Sequence, residues 1–442
     1  MVKLTQNVEA AYEIESTYGS PPGSDLYHLG LLDTFDPRQV ERSVTPVPSL
    51  GQSTDTHHAK GPLGVTLPIK VACQGTGWKQ LIGRAIGEST VDSYKHGNKL
   101  TTSVDSLAIL ARETGGDFTL VTGVVPNEVT LTADYTTGGF VTCEATCTGY
   151  YSLDEADANF DGFLGDDYSS VNFPSAPSAD PLLPTDLSVT AGLAASTKGL
   201  SIDGPAGSYV EVGEKYIQAF NANGTLNTDF DTDGIIDLTV SASDTVSELS
   251  ALIEADSNWG STVLGSGGAE LSQNLVKGIY YTGADADEDE TDGSQANIYA
   301  ATDADGTGMT TTFTNLKTVE LKIANNNTPI SGRATGDDGS TEFLLNNAIS
   351  RGKADITLDL TMTAEDETYY DIYHAGTTIP LIRLDFGSEG SIALTNGTIT
   401  AFSRPLAPGA EIVDTMTIKF RGAGNYKNYS AYAISSNITL TP

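Results

Sequence analysis

A strand–helix–strand pattern occurs twice in this chain, once near each end, with about 150 strongly acidic residues between the copies. The first copy runs through Gly64–Ala72, Gly77–Gly87 and Asn127–Tyr150, and the second through Lys353–Met362, Glu365–Gly376 and Gly397–Gly422. Val65, Leu67, Ile69 and Val71 alternate as on a half-buried strand, and so do Val129, Leu131, Ala133 and Tyr135. Val141, Cys143, Ala145 and Cys147 face one way while Thr142, Glu144 and Thr146 face the other. Trp78, Leu81, Ile82, Ala85 and Ile86 fall at helical spacing, with Thr76 as a candidate cap and Gly87 as a stop. Repetition around an insertion constrains the fold to one β-rich unit with a decoration, rather than two catalytic lobes.

Charge narrows the setting. The chain has 58 acidic and 23 basic residues and a formal charge of −35. A field this negative repels free nucleic acid and anionic membranes. Such a chain suits a salty solvent, where screening shortens each charge's reach to roughly 3 Å at 1 M salt. Halophilic origin is the expectation, and an acidic surface protein of ordinary salt is the alternative. The 46 glycines and many threonines favour short strands joined by turns. The opening residues contain no apolar leader segment, and no run of 18 apolar residues predicts a membrane span.

The acid is concentrated. Residues 160–310 hold 25 acids and three lysines. Strands are predicted there at Ser208–Val212 and Ile235–Val240. A helix is predicted after a cap at Asp244, with Val246, Leu249, Leu252 and Ile253 on one face. The division expected is therefore 1–160 as the first part of the main unit, 161–310 as an acidic inserted α/β or β domain with linkers, and 311–442 as the second part. Residues 1–63 show little periodicity, and Thr34–Gln52 contains three prolines, so a working loop or arm is expected. Pro68, inside a strand pattern, predicts an edge or an irregularity.

Chemistry is sparse. Histidines 57 and 58 lie in a polar loop with no third ligand suggested by spacing. No nucleophile elbow, phosphate loop or dinucleotide fingerprint occurs, and carboxylates are too numerous for any pair to count as a dyad. No enzyme activity is expected. Cys143 and Cys147 share a strand face about 13 Å apart, too far to bridge. A pairing with Cys73 stays open, and buried free thiols are the preferred reading. The best ligand pattern is Asp229, Asp231, Asp233, Gly234 and Asp237, which matches positions 1, 3, 5, 6 and 9 of a calcium loop. Val240 stands where the bidentate Glu belongs, so the expectation is either a loose Ca²⁺ site or a plain acidic turn, with no other cofactor. Asn-x-Ser/Thr sequons occur at Asn223, Asn396, Asn428 and Asn437.

Both ends of the chain resemble the major tail tube proteins of long-tailed phages and related archaeal viruses. The resemblance rests on Leu4, Gln6 and Glu13–Gly19 leading to Pro21 and Pro22, then Leu29–Gly30, Phe35–Pro37, Gly51–Gln52 and the strand and helix of Gly64–Gly87. It resumes at Leu321–Asn326, Asp355–Leu360, Tyr370–His374 and the final strands. It covers about residues 1–155 and 311–442, and the middle resembles domains that some tail proteins display outside the tube.

The resemblance implies a mainly β fold: a β-sandwich with a flanking helix whose strands join a hexameric ring barrel. Rings would stack into a conduit for DNA ejection. Residues 38–60 would form the inter-ring loop, with Arg38, Arg42, Pro46 and Lys60 as contact candidates. Implied partners are further copies of the chain, tail terminator, distal tail and tape measure proteins, and passing double-stranded DNA bound without sequence specificity. The implied location is the virion tail, assembled in host cytoplasm, with no membrane insertion. The competing readings are a calcium-dependent surface-layer or adhesion-type β protein of a halophile, and an extracellular hydrolase with an acidic accessory domain. The first wants a secretion signal, and the second wants a convergent polar pocket.

Overall fold

A computed structural model describes residues 8–15, 18–19, 26–36, 40–47, 57–86, 106–112, 118–154, 173–193, 197–213, 215–231, 233–256, 258–276, 278–282, 295–300, 311–335, 342–350, 355–364, 367–406, 411–420 and 431–434. The first stretch contains β1 (Glu9–Ile14), β2 (Tyr27–His28), β3 (Leu32–Phe35), β4 (Val40–Val47), β5 (His57–Ala72), α1 (Gly77–Ile86), β6 (Leu107–Arg112), β7 (Phe118–Asp134), β8 (Thr142–Gly149), β9 (Tyr151–Asp154) and β10 (Ser188–Gly192). The acidic middle contains β11 (Gly199–Asp203), β12 (Tyr209–Val212), β13 (Tyr216–Phe220), β14 (Ile235–Asp237), α2 (Val246–Glu254), β15 (Gly260–Leu264), β16 (Gly278–Tyr281) and β17 (Gln295–Tyr299). The last stretch contains β18 (Thr311–Thr312), β19 (Leu316–Ala324), β20 (Thr328–Thr335), β21 (Glu342–Ser350), β22 (Asp355–Thr363), α3 (Thr368–Ala375), β23 (Ile379–Asp385), β24 (Ser391–Ser403), β25 (Val413–Phe420) and β26 (Ala431–Ile434).

Seventeen of these strands form one antiparallel network built from both ends of the chain. Its main ladder runs β4, β5, β8, β7, β19, β22, β25, β24, β23, β10, β18. The halves meet where β7 pairs with β19, Leu131 opposite Leu321. The fold is thus mainly β with few helices and an extensive antiparallel sheet, as the alternation predicts.

The alternating side chains decide which face is dry. Leu67, Ile69, Leu131, Cys143, Ala145, Val319, Leu321, Leu358, Leu360, Met416 and Ile418 all enter one core with Val189, Ile382, Leu384 and Ile392. Helix α1 is buried in that core through Trp78, Leu81, Ile82 and Ala85, and Trp78 meets Phe386 edge-on at 5.3 Å. The Thr76 hydroxyl, expected to cap this helix, is engaged with the Tyr12 hydroxyl at 2.9 Å. The three cysteines are free and buried, and burial pushes the Cys143 thiol up to about 12.

Strand β7 changes partners along its length. Residues 118–124 pair with β6 and β9, and residues 125–134 with β8 and β19. Gly123, at φ +65°, marks the change, and a Cβ there would stand 2.4 Å from Tyr150 Cβ. The Glu15 carboxylate is buried at this point. It accepts the Gly19 N–H at 2.8 Å, the Gly123 N–H at 2.7 Å and the Ser106 hydroxyl. Burial raises its pKa above the ordinary Glu value, against the pull of those hydrogen bonds.

Three sequence expectations change. The segment 38–60 is expected to be a loop, but Val40–Val47 is a strand paired with β5, Val40 opposite Val65 and Val47 opposite His57. Its β-branched residues supply strand propensity that the prolines obscure. Ser188–Gly192 falls in the predicted insert, yet it pairs with β23 and β18 of the main network. Helix α2 is capped by Thr245, one residue later than predicted, through a reciprocal box with Glu248.

The second core is correspondingly compact. Two small sheets, β15–β11–β17 and β14–β13–β12–β16, cover α2 with Leu200, Ile202, Val210, Ile217, Leu249, Ile253 and Ile298 inside. Phe230 packs edge-on against Trp259 at 5.0 Å. The chain leaves the main network after β10 and re-enters at β18, where Ala191 lies opposite Thr311.

Candidate functional surface

The dry face of the ladder leaves a polar face on β5, β8, β7, β19, β22, β25 and β24. One row across the strands reads Lys70, Glu144, Thr130, Lys322, Thr357, Lys419, Thr398. The row beside it reads Thr142, Thr132, Glu320, Asp359, Thr417. The next reads Asp134, Thr318, Thr361, Thr415, Ser403. Threonine dominates because β-branched side chains satisfy a pleated surface while keeping it wet.

The charges in these rows follow one rule: each of the three described lysines, 70, 322 and 419, is held by a carboxylate. Lys322 reaches Glu128 at 2.8 Å, Lys419 reaches Asp355 at 2.8 Å, and Lys70 reaches Asp33 at 3.0 Å. These half-exposed pairs stabilise the fold little, about 0–1 kcal/mol each. Their effect is to set a carboxylate beside each cation, so that the pair presents no net positive charge. Glu144 and Glu320 stay exposed between them. Asp134 accepts the Thr136 N–H at 2.8 Å and its hydroxyl at 2.6 Å, and these bonds hold its pKa below the ordinary value. A polyanion meeting these rows finds carboxylates and hydroxyls, and each described lysine among them already has a carboxylate beside it.

Two hairpins extend from one end of this sheet. Residues 57–64 of β5 run past the last β8 pairing, at Val65, and pair with β4. At about 3.3 Å per residue that extension reaches about 26 Å. Strands β20 and β21 pair only with each other, and β21 lies against β5. The base of the second hairpin is anchored where Ile349 packs with Val125 and Tyr18. Pro68 sits between the β3 pairing at residues 69–71 and the β4 pairing that starts at Val65. Its missing N–H is therefore not needed on that edge.

The sequence candidates divide between the two parts of the chain. Arg42, Pro46 and Lys60 lie on the paired strands β4 and β5, with Arg42 opposite Leu63, Pro46 opposite His58 and Lys60 opposite Val44. Arg38 lies outside the described residues. The four aspartates of the calcium-like pattern lie on the second core. The Asp233 carboxylate accepts the Ile235 N–H at 3.0 Å, and Asp237 accepts the Thr239 N–H at 2.8 Å. Asp229 faces Asn258 at 3.5 Å, and the Asp231 N–H donates to Asp256 at 2.7 Å. Burial, then Asp233 and Asp256, push the Asp231 carboxyl up. Among the described residues, no group of three or more His, Cys, Asp or Glu side chains is arranged to hold a metal ion. A cavity of about 110 Å³ beside α3 is lined mostly by threonines with Tyr369 and Asp414, and Arg404 holds Asp414 at 2.6 and 2.8 Å.

Two features had no sequence expectation: the β20–β21 hairpin and the pairing of the lysines. The hairpin signal was the β-rich run Glu342–Ser350 after Gly336 and Gly339. The pairing depends on cross-strand register, which composition does not carry.

No protein-family model matches the chain, and no curated protein does. Among solved structures, it has a likeness to a chain in the tail of an empty gene transfer agent particle, refined with helical C6 symmetry. The identity is 15%, covering 30% of this chain and 92% of that one, with a TM-score of 0.21. A chain in the virion of a native gene transfer agent particle is 13% identical over 26% of this chain and 82% of that one, with a TM-score of 0.19. Scores this low carry no argument about function. No helix among the described residues is long and apolar enough to cross a membrane.

Proposed function

We propose that this chain is a structural subunit of a virion tail tube, stacking as hexameric rings into a conduit for viral DNA. The observation that carries the reading is the seven-stranded polar face whose described lysines are each held by a carboxylate. Nucleic-acid affinity comes mainly from cations that neutralise phosphates and release counterions. A wall lined by this face would let DNA slide, whereas free lysines would retain it. The two hairpins supply the second support. A two-stranded ribbon is marginally stable alone, and ribbons at a sheet end are suited to pairing with a neighbour. Residues 38–60 act as the inter-ring element in this reading, as a hairpin. The resemblance of both chain ends to tail tube proteins points the same way.

In this assembly the acidic second core stands on the exterior, where its charge keeps tubes apart in brine. Tail terminator, distal tail and tape measure proteins are the expected partners, assembly occurs in host cytoplasm, and DNA passes without sequence-specific contact. Negative-stain electron microscopy of the purified chain in high salt tests the proposal. Stacked rings with six-fold end views and external knobs are expected. Flat lattices lost on chelation would replace this reading with a calcium-dependent surface layer.

A further inference from the structure

We infer that the end face formed by α3 with residues 402–406 and 411–412 receives the paired hairpins of a second copy of this chain. The inference rests on the head-to-tail stacking proposed above and names the surface that does the receiving. Helix α3 is the only described helix with no buried residue. Tyr369 and Ile372 lean on the core, while Tyr370 and Tyr373 are 42% and 39% exposed. Both rings meet Phe402, at 5.7 and 6.1 Å. Leu406 and Ile412 are also exposed, at 76% and 43%, and the Ile412 carbonyl accepts the Ala364 N–H just before the helix. An aromatic and aliphatic surface of this kind on an otherwise acidic chain marks a contact site.

Its position and charge select the occupant. The surface lies where β22 and β24 end and β25 begins, at the opposite end of the ladder from the hairpins. A copy displaced along the strands therefore brings hairpins to this face. Such a contact joins two different patches and propagates instead of closing on itself. Residues 364–376 and 404–414 contain six acids and one arginine, and that arginine is held by Asp414. Residues 38–63 carry three cations and two acids, and residues 328–353 three of each. In a chain of −35, both hairpins, at net +1 and 0, are segments that an acidic end face does not repel.

Two measurements test the assignment. In the first, the double variant Tyr370→Ser, Tyr373→Ser is compared with wild type by sedimentation and electron microscopy. Removing two aromatic anchors should raise the concentration needed for polymers on the order of tenfold or more. In the second, Tyr373→Cys protein is mixed with Thr45→Cys protein and a short bismaleimide. The three native cysteines are buried, so the new thiols report the contact. A cross-linked pair appearing in the mixture and in neither protein alone is expected, and it does not depend on how the double variant folds. If wild type polymerises, the double variant polymerises equally and no cross-link forms, this assignment falls and the tube reading stands. If wild type stays monomeric at every concentration and no cross-link forms, both fall.

Discussion

Glu15 offers a stability test with a calculable size. Its buried carboxylate accepts two backbone N–H groups and one hydroxyl, from Gly19, Gly123 and Ser106. In Glu15→Ala the two amides lose their partner inside the protein, and each buried orphan costs about 1–3 kcal/mol. The Ser106 hydroxyl can rotate toward another acceptor, so the sum expected from the two amides is about 2–6 kcal/mol. That is a large share of a typical total of about 5–15 kcal/mol. In Glu15→Gln the amide oxygen keeps the side that serves Gly19 and Ser106, and the NH₂ confronts the Gly123 N–H. The loss expected is about 1–3 kcal/mol, again one orphaned amide.

Urea unfolding at constant slope measures these losses, and amide exchange at Gly123 locates them. The pH dependence has a definite sign. The folded pKa of Glu15 is raised above its unfolded value, so the folded state holds the proton more tightly. Its contribution is fully present below the unfolded pKa and is lost as pH rises through the folded pKa. Wild type should therefore gain stability relative to Glu15→Gln on acidification through that interval, with the repulsion among other acids common to both proteins. A Gln variant within about 0.5 kcal/mol of wild type, with unchanged exchange at Gly123, would refute the reasoning.

Three further outcomes are expected. Glu144→Lys with Glu320→Lys adds cations to the polar face with no designed partner; polymers of this variant should retain double-stranded DNA at low salt, with the salt slope steepening by about 0.9 per phosphate contacted, and unchanged retention would remove DNA from the account of this face. Replacing residues 194–309 by a short glycine–serine linker should leave the main core folded, because Ala191 and Thr311 are direct antiparallel partners; circular dichroism and thermal melting of the shortened chain check this, and an unfolded product would show that the second core is required. Gly123→Ala should destabilise by about 2 kcal/mol or more, from a left-handed backbone and a Cβ 2.4 Å from that of Tyr150; equilibrium unfolding of the variant decides it.

What was legible in the sequence was what alternation and helical period encode. β5, β7, β8, β19, β22 and α1 could be drawn because their apolar residues repeat every two or every three to four positions. α3 was legible as a helix, but not in its exposure: Tyr369 and Tyr370 are adjacent letters, yet one stacks on Phe313 at 4.9 Å and the other faces solvent. The first hairpin was obscured by Pro46 and Pro48. The acidic surroundings of β10 read as insert, although Val189 and Ala191 belong to the main core. The restraint of the lysines could not be read, since Lys322 and Glu128 are distant in sequence and only the β7–β19 register brings them together.

The rung between β10 and β18 has a consequence for how such a chain can change over time. Directly opposed antiparallel residues lie about 4.5–5.5 Å apart. A guest whose own ends are close can therefore enter or leave between them without shifting a strand by one position, a slip that would turn every side chain to the wrong face. The main network can keep its register while whatever hangs from this rung is exchanged, so the inserted segment can be replaced in one genetic event. The same rung is a natural grafting point for foreign domains, at one copy per subunit.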